Sequence, residues 1–90
     1  MAYVKLSVDN TGWVLIGDNV SEITFQNSSA GAFYINFTSN SSPPDDEVGL
    51  VYGPWQGELK KPLEDMTNVI SPSRVWAKAI SRPVNIIVEQ

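Results

Sequence analysis

The chain has 90 residues and contains neither cysteine nor histidine. This length corresponds to one domain, residues 1–90, and the two missing residue types exclude disulfides, zinc ribbons, thiolate nucleophiles and imidazole catalysis. Ten acidic and six basic side chains give a net charge of −4, which disfavours nucleic-acid binding because that binding needs a basic surface. We therefore expect a protein that is not an enzyme, that carries no cofactor or metal, and that binds neither nucleic acid nor membrane.

The charges are distributed unevenly along the chain. Residues 1–59 carry seven acids and one base, a net charge of −6, whereas residues 60–90 carry three acids and five bases, a net charge of +2. A dipolar domain of this kind can pair with copies of itself or dock on a partner of mixed charge. An uneven distribution also arises by chance in small domains, so both interpretations remain open.

Alternation of apolar and polar residues predicts short strands along most of the chain. Val4, Leu6 and Val8 alternate with polar side chains in the first of them, which is the period-two pattern of a half-buried strand. The same reading predicts strands over 2–8, 13–16, 20–26, 32–38, 48–52, 74–80 and 84–88. The side chains expected in the core are Val4, Leu6, Val8, Val14, Ile16, Ile23, Phe25, Phe33, Ile35, Phe37, Leu50, Val75, Ala77, Ile86 and Val88.

Two segments break this pattern. Residues 39–47 contain no apolar side chain but two prolines and three consecutive acids, which predicts a solvated loop. Residues 53–73 are predicted to form an ordered loop with a single helical turn that has Pro62 at its first position. About seven short strands without a long helix therefore predict an all-β fold, a small antiparallel β-sandwich or barrel of the jelly-roll or Ig-like kind.

Tryptophans and neighbouring bases supply the candidate contact residues. Trp55 lies in a Gly/Pro-rich loop next to Tyr52, where an aromatic side chain either plugs the end of the sandwich or contacts a partner. Core packing is the favoured interpretation of Trp13. The acids of 45–47 could attract a cation, but adjacent residues of an extended loop point apart, so a solvated charge run is favoured.

Strand spacing places Arg74, Trp76 and Lys78 on one face, opposite the core side chains Val75 and Ala77. The predicted row is exposed, basic and aromatic. It could bind sugar, an acidic protein surface or single-stranded nucleic acid. It could equally be a strand edge that its charges protect against aggregation.

Four segments together resemble small structural proteins of tailed bacteriophages. They are Trp13-Val14-Leu15-Ile16-Gly17, Ile23-Thr24-Phe25-Gln26-Asn27-Ser28-Ser29, Phe33-Tyr34-Ile35-Asn36-Phe37 running into Ser41-Ser42-Pro43-Pro44, and Val75-Trp76-Ala77-Lys78. The resemblance implies a non-enzymatic virion protein, above all a capsid decoration (cement) protein that binds the outer shell and stabilises it. The implied partners are the major capsid protein or another virion protein and further copies of the chain.

The expected contact surface is one sheet face together with either loop 39–47, which includes Pro43 and Pro44, or loop 53–73. The N-terminal residues show no signal-peptide pattern, so we expect synthesis in the host cytoplasm and a final location in the virion. The alternative is a tail accessory protein or a receptor- or carbohydrate-binding module. In that module Tyr52, Trp55 or Trp76 would stack on sugar rings.

Overall fold

A computed structural model describes residues 3–89; Ala2, which the prediction included in the first strand, lies outside them. The described residues form eight strands and one 3₁₀ turn, at Leu63–Asp65. The strands are β1 Tyr3–Val8, β2 Val14–Asp18, β3 Glu22–Asn27, β4 Phe33–Thr38, β5 Leu50–Tyr52, β6 Gly57–Pro62, β7 Arg74–Ala79 and β8 Val84–Glu89.

The eight strands form two four-stranded antiparallel sheets packed as a β-sandwich, as the sequence predicted. Sheet A has the order β1-β8-β3-β6, and sheet B has the order β2-β7-β4-β5. Strand β1 pairs with β8, β2 with β7, β3 with β6 and β4 with β5. This is the connectivity of a long hairpin rolled into two sheets, which is a jelly roll. The Ig-like alternative is wrong, because an Ig sheet has a different strand order.

The core lies between the two sheets and consists of the alternate side chains of most strands. The buried core residues are Val8, Ile16, Ile23, Phe25, Phe33, Ile35, Phe37, Leu63, Val75, Ala77, Ala79, Val84, Ile86 and Val88. Leu6 and Val14 are partly buried against this cluster, and Val4 is half-buried on edge strand β1. The prediction of Leu50 in the core is wrong. It is 45% exposed, because β5 is the edge strand of sheet B and no further strand covers it.

The prediction of one irregular loop over 53–73 is also wrong, because β6 lies within that segment. Strand β6 pairs with β3 but contains a β-bulge at Lys60, whose backbone has φ 48°. The bulge interrupts the period-two alternation, so the sequence pattern does not indicate a strand. Pro62 occupies the N-cap position of the 3₁₀ turn, which begins at Leu63, one residue later than predicted.

Connections between strands gather at the two ends of the sandwich. At one end, which we call the Trp55 end, loops 9–13, 28–32, 53–56 and 80–83 meet. Asn10 donates to the carbonyl of Ser81, and the Ile80 N–H donates to the carbonyl of Ala32. Loops 19–21, 39–49 and 63–73 occupy the opposite end, where the Val20 N–H donates to Ser73. Segment 39–49 therefore leaves β4 at the end opposite to loop 53–56.

Candidate binding surface

Trp55 stands on a hydrogen-bonded turn at the Trp55 end. The Gln56 N–H donates to the carbonyl of Gly53 at 3.2 Å, Pro54 occupies the second position of the turn, and Trp55 has φ 65° at the third. This is the pattern of a type II turn, in which the third position normally belongs to glycine or asparagine. A left-handed backbone costs an ordinary residue about 1–2 kcal/mol. The fold nevertheless holds a large aromatic side chain there, 63% exposed.

Asn27 holds this turn in place from within the sandwich. It is fully buried, and its side-chain amide donates to the carbonyls of Gly31 at 2.6 Å and Gly53 at 3.0 Å. Its side-chain oxygen accepts the N–H and the hydroxyl of Ser29, both at 2.9 Å, and its backbone N–H donates to Gln56. Each polar group of the amide is therefore satisfied, and loops 28–32 and 53–56 are tied to one another. The sequence predicted a turn beginning at Asn27 but not this buried role.

The outer face of sheet A carries a shallow groove beside this turn. Tyr3, Trp55 and Leu59 are 69%, 63% and 76% exposed there. The groove has a volume of about 410 Å³. We call it the Trp55 groove and define it by Tyr3, Thr24, Gln26, Trp55, Leu59 and Ile87.

Two polar side chains of the Trp55 groove make hydrogen bonds within the fold. The Thr24 hydroxyl accepts the N–H of Lys60 at 2.9 Å, and the Gln26 side-chain amide donates to the carbonyl of Trp55 at 3.3 Å. These bonds bind β3 to β6 and to the Trp55 turn.

Tyr52 lies at the junction of the two sheets and not on the loop surface that its neighbourhood in the sequence indicated. Its half-buried ring packs edge-on to Phe25 at 5.0 Å between centroids and stacks on Phe33 at 5.8 Å. Its hydroxyl donates to the Glu58 carboxylate at 3.0 Å. Burial raises the pKa of the Tyr52 phenol, and the hydrogen bond to Glu58 and its negative charge raise it further. Tyr52 therefore joins β5 of sheet B to β6 of sheet A.

Strand β7 places Arg74, Trp76 and Lys78 on the outer face of sheet B, as predicted. The interpretation of the row as a protected strand edge is wrong, because β7 lies between β2 and β4. The exposure expected of the row is wrong for Trp76. Trp76 is only 6% exposed although it lies outside the core cluster. Its indole N–H donates to the hydroxyl of Thr38 at 2.8 Å. The Arg74 guanidinium pairs with Asp18 at 3.0 Å.

Trp13 packs on this same outer face, so the prediction that it belongs to the core is wrong. The Lys78 ammonium lies 4.9 Å from the centroid of its ring, which is a cation–π contact. The indole N–H donates to the carbonyl of Asp46 at 3.0 Å. Trp13 therefore binds the acidic loop to the sheet.

Loop 39–47 folds back over the outer face of sheet B. Besides the bond from Trp13, Asn36 donates to the carbonyl of Val48 at 3.1 Å, and the Thr38 hydroxyl donates to Asn40 at 2.9 Å. The acidic side chains 45–47 are exposed, as predicted, while Pro43 is exposed and Pro44 half-buried. The structure therefore divides the predicted contact residues between two surfaces, with Trp55 on one and Pro43, Pro44 and the β7 row on the other.

Residues 3–89 contain no group of three or more acidic side chains placed to hold a metal ion. The same stretch has no helix with the length and apolar character of a membrane span. Comparison of the chain with protein-family models, with curated proteins and with solved structures yields no match.

Proposed function

We propose that this chain is a non-enzymatic docking protein of a multi-copy assembly, and specifically a capsid decoration protein of a virion. The observation that carries the proposal is the presentation of Trp55. A large aromatic side chain stands exposed on a strained turn, and the buried Asn27 anchors that turn. Backbone strain concentrates at functional sites, and a rigid aromatic side chain contributes binding energy at a low cost in conformational entropy.

The surroundings of Trp55 favour a protein surface as its partner. Leu59 and Tyr3 add exposed apolar and aromatic area beside the indole. A sugar-binding site needs several hydrogen-bonding groups directed at the ligand, whereas Thr24 and Gln26 are engaged with the chain itself. These contacts support protein docking over the carbohydrate-binding alternative.

The assembly context of the proposal comes from the resemblance and from the size of the domain. Jelly rolls occur in viral capsid and in lectin domains alike, so the fold does not choose between them. A domain of 90 residues buries a smaller fraction of its surface than a large domain does and gains stability when it binds a shell. Many copies on one lattice also multiply a weak contact.

The proposal is tested by fractionating particles from the source organism on a density gradient and quantifying the chain against the major structural protein by mass spectrometry. We expect the chain in the particle fraction, and we expect Trp55→Ala to lower its occupancy about tenfold at limiting protein concentration, the effect of losing roughly 1.4 kcal/mol of binding. Ile70→Ala is the matched control, since Ile70 is 86% exposed outside the groove. Absence of the chain from the particle fraction overturns the proposal.

A titration of Trp fluorescence with polysaccharide separates the alternative. We expect no saturable change. Saturable quenching that is lost in Trp55→Ala would instead support the carbohydrate-binding function.

A further inference from the structure

The exposed backbone edge of β5 is unlike the other strand edges of the sandwich. Strand β5 pairs with β4 in an unbroken register, Ile35 opposite Leu50 and Phe33 opposite Tyr52, and it ends the order of sheet B. Its other side therefore belongs to no ladder among the described residues. An edge of this kind is a template for pairing with another strand.

The remaining three edge strands carry features that oppose such pairing. Strand β2 is broken by a bulge between Leu15 and Gly17. Strand β6 contains the bulge at Lys60 and ends in Lys61-Pro62. Strand β1 has an exposed lysine near its middle. Bulges, lysine and proline are the usual protections of strand edges, and β5 contains none of the three.

The side chains of β5 are apolar and accessible on both faces of the sheet. Leu50 faces the sandwich interior, opposite Ile35, yet is 45% exposed, and Val51 faces outward and is 59% exposed. A cleft of about 400 Å³ between β5 and β6 exposes the inner side. A strand added beside β5 would extend sheet B and would cover Leu50 from that open side.

The charge of β5 favours a second copy as the occupant. Residues 48–52 contain no acidic or basic side chain in a chain of net charge −4, and the Glu58 carboxylate that lines the neighbouring cleft accepts the Tyr52 hydroxyl of its own chain. Two copies that meet across β5 therefore place no like charges directly opposite each other. With Val51 on a twofold axis, each Glu47 lies four residues from the axis, so the two carboxylates are about 27 Å apart at about 3.4 Å per residue. That separation exceeds the Debye length of about 8 Å at physiological salt.

We propose that two copies of this chain pair through β5, antiparallel and about a twofold axis at Val51. Val51 lies opposite the partner subunit's Val51, and Leu50 lies opposite the partner subunit's Tyr52 on the inner face. The two B sheets become one continuous eight-stranded sheet. The contact is short, so the dimer is weak in solution and strengthens when many copies are held on one assembly.

Sedimentation equilibrium of the full chain tests the association up to about 1 mM, a range that captures weak complexes. The average mass should rise with concentration from 9.9 kDa towards twice that value. Val51→Lys should hold it at the monomer value, because like charges directly opposite each other across strands are destabilising. Ile70→Lys makes the same charge change at an exposed residue outside β5 and should leave the association unchanged. Unfolding curves of both variants verify that each is folded.

A cysteine cross-link tests the register, since the chain has no native cysteine. Directly opposite antiparallel residues have Cα atoms about 4.5–5.5 Å apart, within reach of a disulfide. Val51→Cys should therefore form a covalent dimer under mild oxidation, at least tenfold faster than Ile70→Cys. A chain that stays monomeric, a dimer that Val51→Lys leaves intact, or equal cross-linking rates for the two variants would each overturn the proposal.

The proposed dimer is independent of the proposed docking function of Trp55. Trp55→Ala should leave the dimer unchanged, and Val51→Lys leaves the Trp55 groove intact. Failure of the dimer and failure of the particle test are therefore distinguishable.

Discussion

The outer faces of the two sheets carry similar aromatic and polar side chains but differ in exposure. On sheet B, Trp76 is 6% exposed and the indole of Trp13 is bonded to the acidic loop. On sheet A, Tyr3 and Trp55 are more than 60% exposed. The aromatic residues of both sheets lie either at turns or in strands where they alternate with core residues. Residue type and local pattern therefore do not account for the difference in their exposure.

The difference comes from the connections between strands. Segment 39–49 joins β4 to β5, and this long connection folds back over sheet B and bonds to Trp13 and Asn36. Loop 53–56 is short, and Asn27 ties it to loop 28–32 at the end of the sandwich. No connection among the described residues lies over the Trp55 groove. An aromatic side chain thus becomes a candidate contact residue where the fold has no segment to cover it.

The largest effect is expected from the same substitution made on the two faces. Trp76→Ala removes a buried indole and leaves Thr38 without its donor, so we expect a loss of about 3 kcal/mol in the free energy of unfolding. Trp55→Ala should change it by less than about 0.5 kcal/mol, as for other exposed side chains. Urea unfolding curves of the two variants measure the contrast. Equal losses would show that the two faces do not differ as described.

The second largest contrast is expected between the two asparagine side chains that anchor loops on the two faces, Asn27 and Asn36. Asn27→Ala leaves the partly buried carbonyls of Gly31 and Gly53 without a donor, and we expect a loss of about 2–3 kcal/mol in the free energy of unfolding. The Asn36 side chain donates to Val48 at an exposed position and accepts only the N–H of its neighbour Phe37, so Asn36→Ala should lose about 1 kcal/mol. Denaturant midpoints at constant slope give both values. A larger loss of unfolding free energy in Asn36→Ala than in Asn27→Ala would show that segment 39–49 is anchored more strongly than the Trp55 end.

Alkaline pH should weaken the junction at Tyr52. The phenol pKa is raised above its ordinary value of 10.0 in the folded chain, so the unfolded chain loses this proton first as the pH rises. The contribution of Tyr52 to the free energy of unfolding should be constant below about pH 10. Between that pH and the raised pKa it should fall by at most about 1.4 kcal/mol per pH unit. Unfolding curves between about pH 8 and 12 should show this slope in the native chain and in Tyr34→Phe. The same slope in Tyr52→Phe would show that the loss of stability does not come from the Tyr52 phenol.

Relief of strain at Trp55 should give a smaller effect of opposite sign. Glycine adopts φ 65° without the Cβ penalty, so Trp55→Gly should be more stable than Trp55→Ala by about 1 kcal/mol. The comparison uses two variants that both lack the indole and so isolates the backbone conformation. Thermal unfolding measures the difference. A lower stability of the glycine variant would mean that the turn is not left-handed.

The smallest effect is expected for the ion pair on sheet B. Asp18→Asn removes the partner of Arg74, but the Asp18 side chain is 61% exposed, so we expect a loss below about 0.5 kcal/mol. The loss should vanish at about 1 M salt, where the Debye length is about 3 Å. Unfolding curves at low and high salt test this. A loss that persists at high salt would show a structural role for Asp18 other than charge.

Much of the fold was predictable because strands record burial in their alternation. Val75 and Ala77 against Trp76 on β7 indicated both the core face and the outer face correctly. Strand β6 was missed because the bulge at Lys60 removes the alternation. Leu50 was misplaced because an apolar residue of an edge strand has the same local pattern as one in a central strand.

The candidate site was predictable only in part. Trp55 could be singled out because an aromatic residue in a Gly/Pro-rich loop has few partners nearby in the sequence. Tyr3 and Leu59 could not be joined to it, since they come from β1 and β6 and meet it only across sheet A. The one local signal for Asn27 is its position at the end of a strand before two serines, which is also typical of an exposed turn.

By itself, the sequence determined which side-chain chemistry this protein has and where seven of its eight strands lie. The absence of cysteine and histidine and the period-two pattern are local properties that need no tertiary information. Exposure on the outer faces of the sheets was decided by the tertiary structure, because side chains outside the core, such as Trp76 and Tyr3, differ in exposure according to what the rest of the fold places over them. The jelly-roll order likewise brings β3, β6 and β8 together from remote parts of the chain, and only that order creates the Trp55 groove and the open edge of β5.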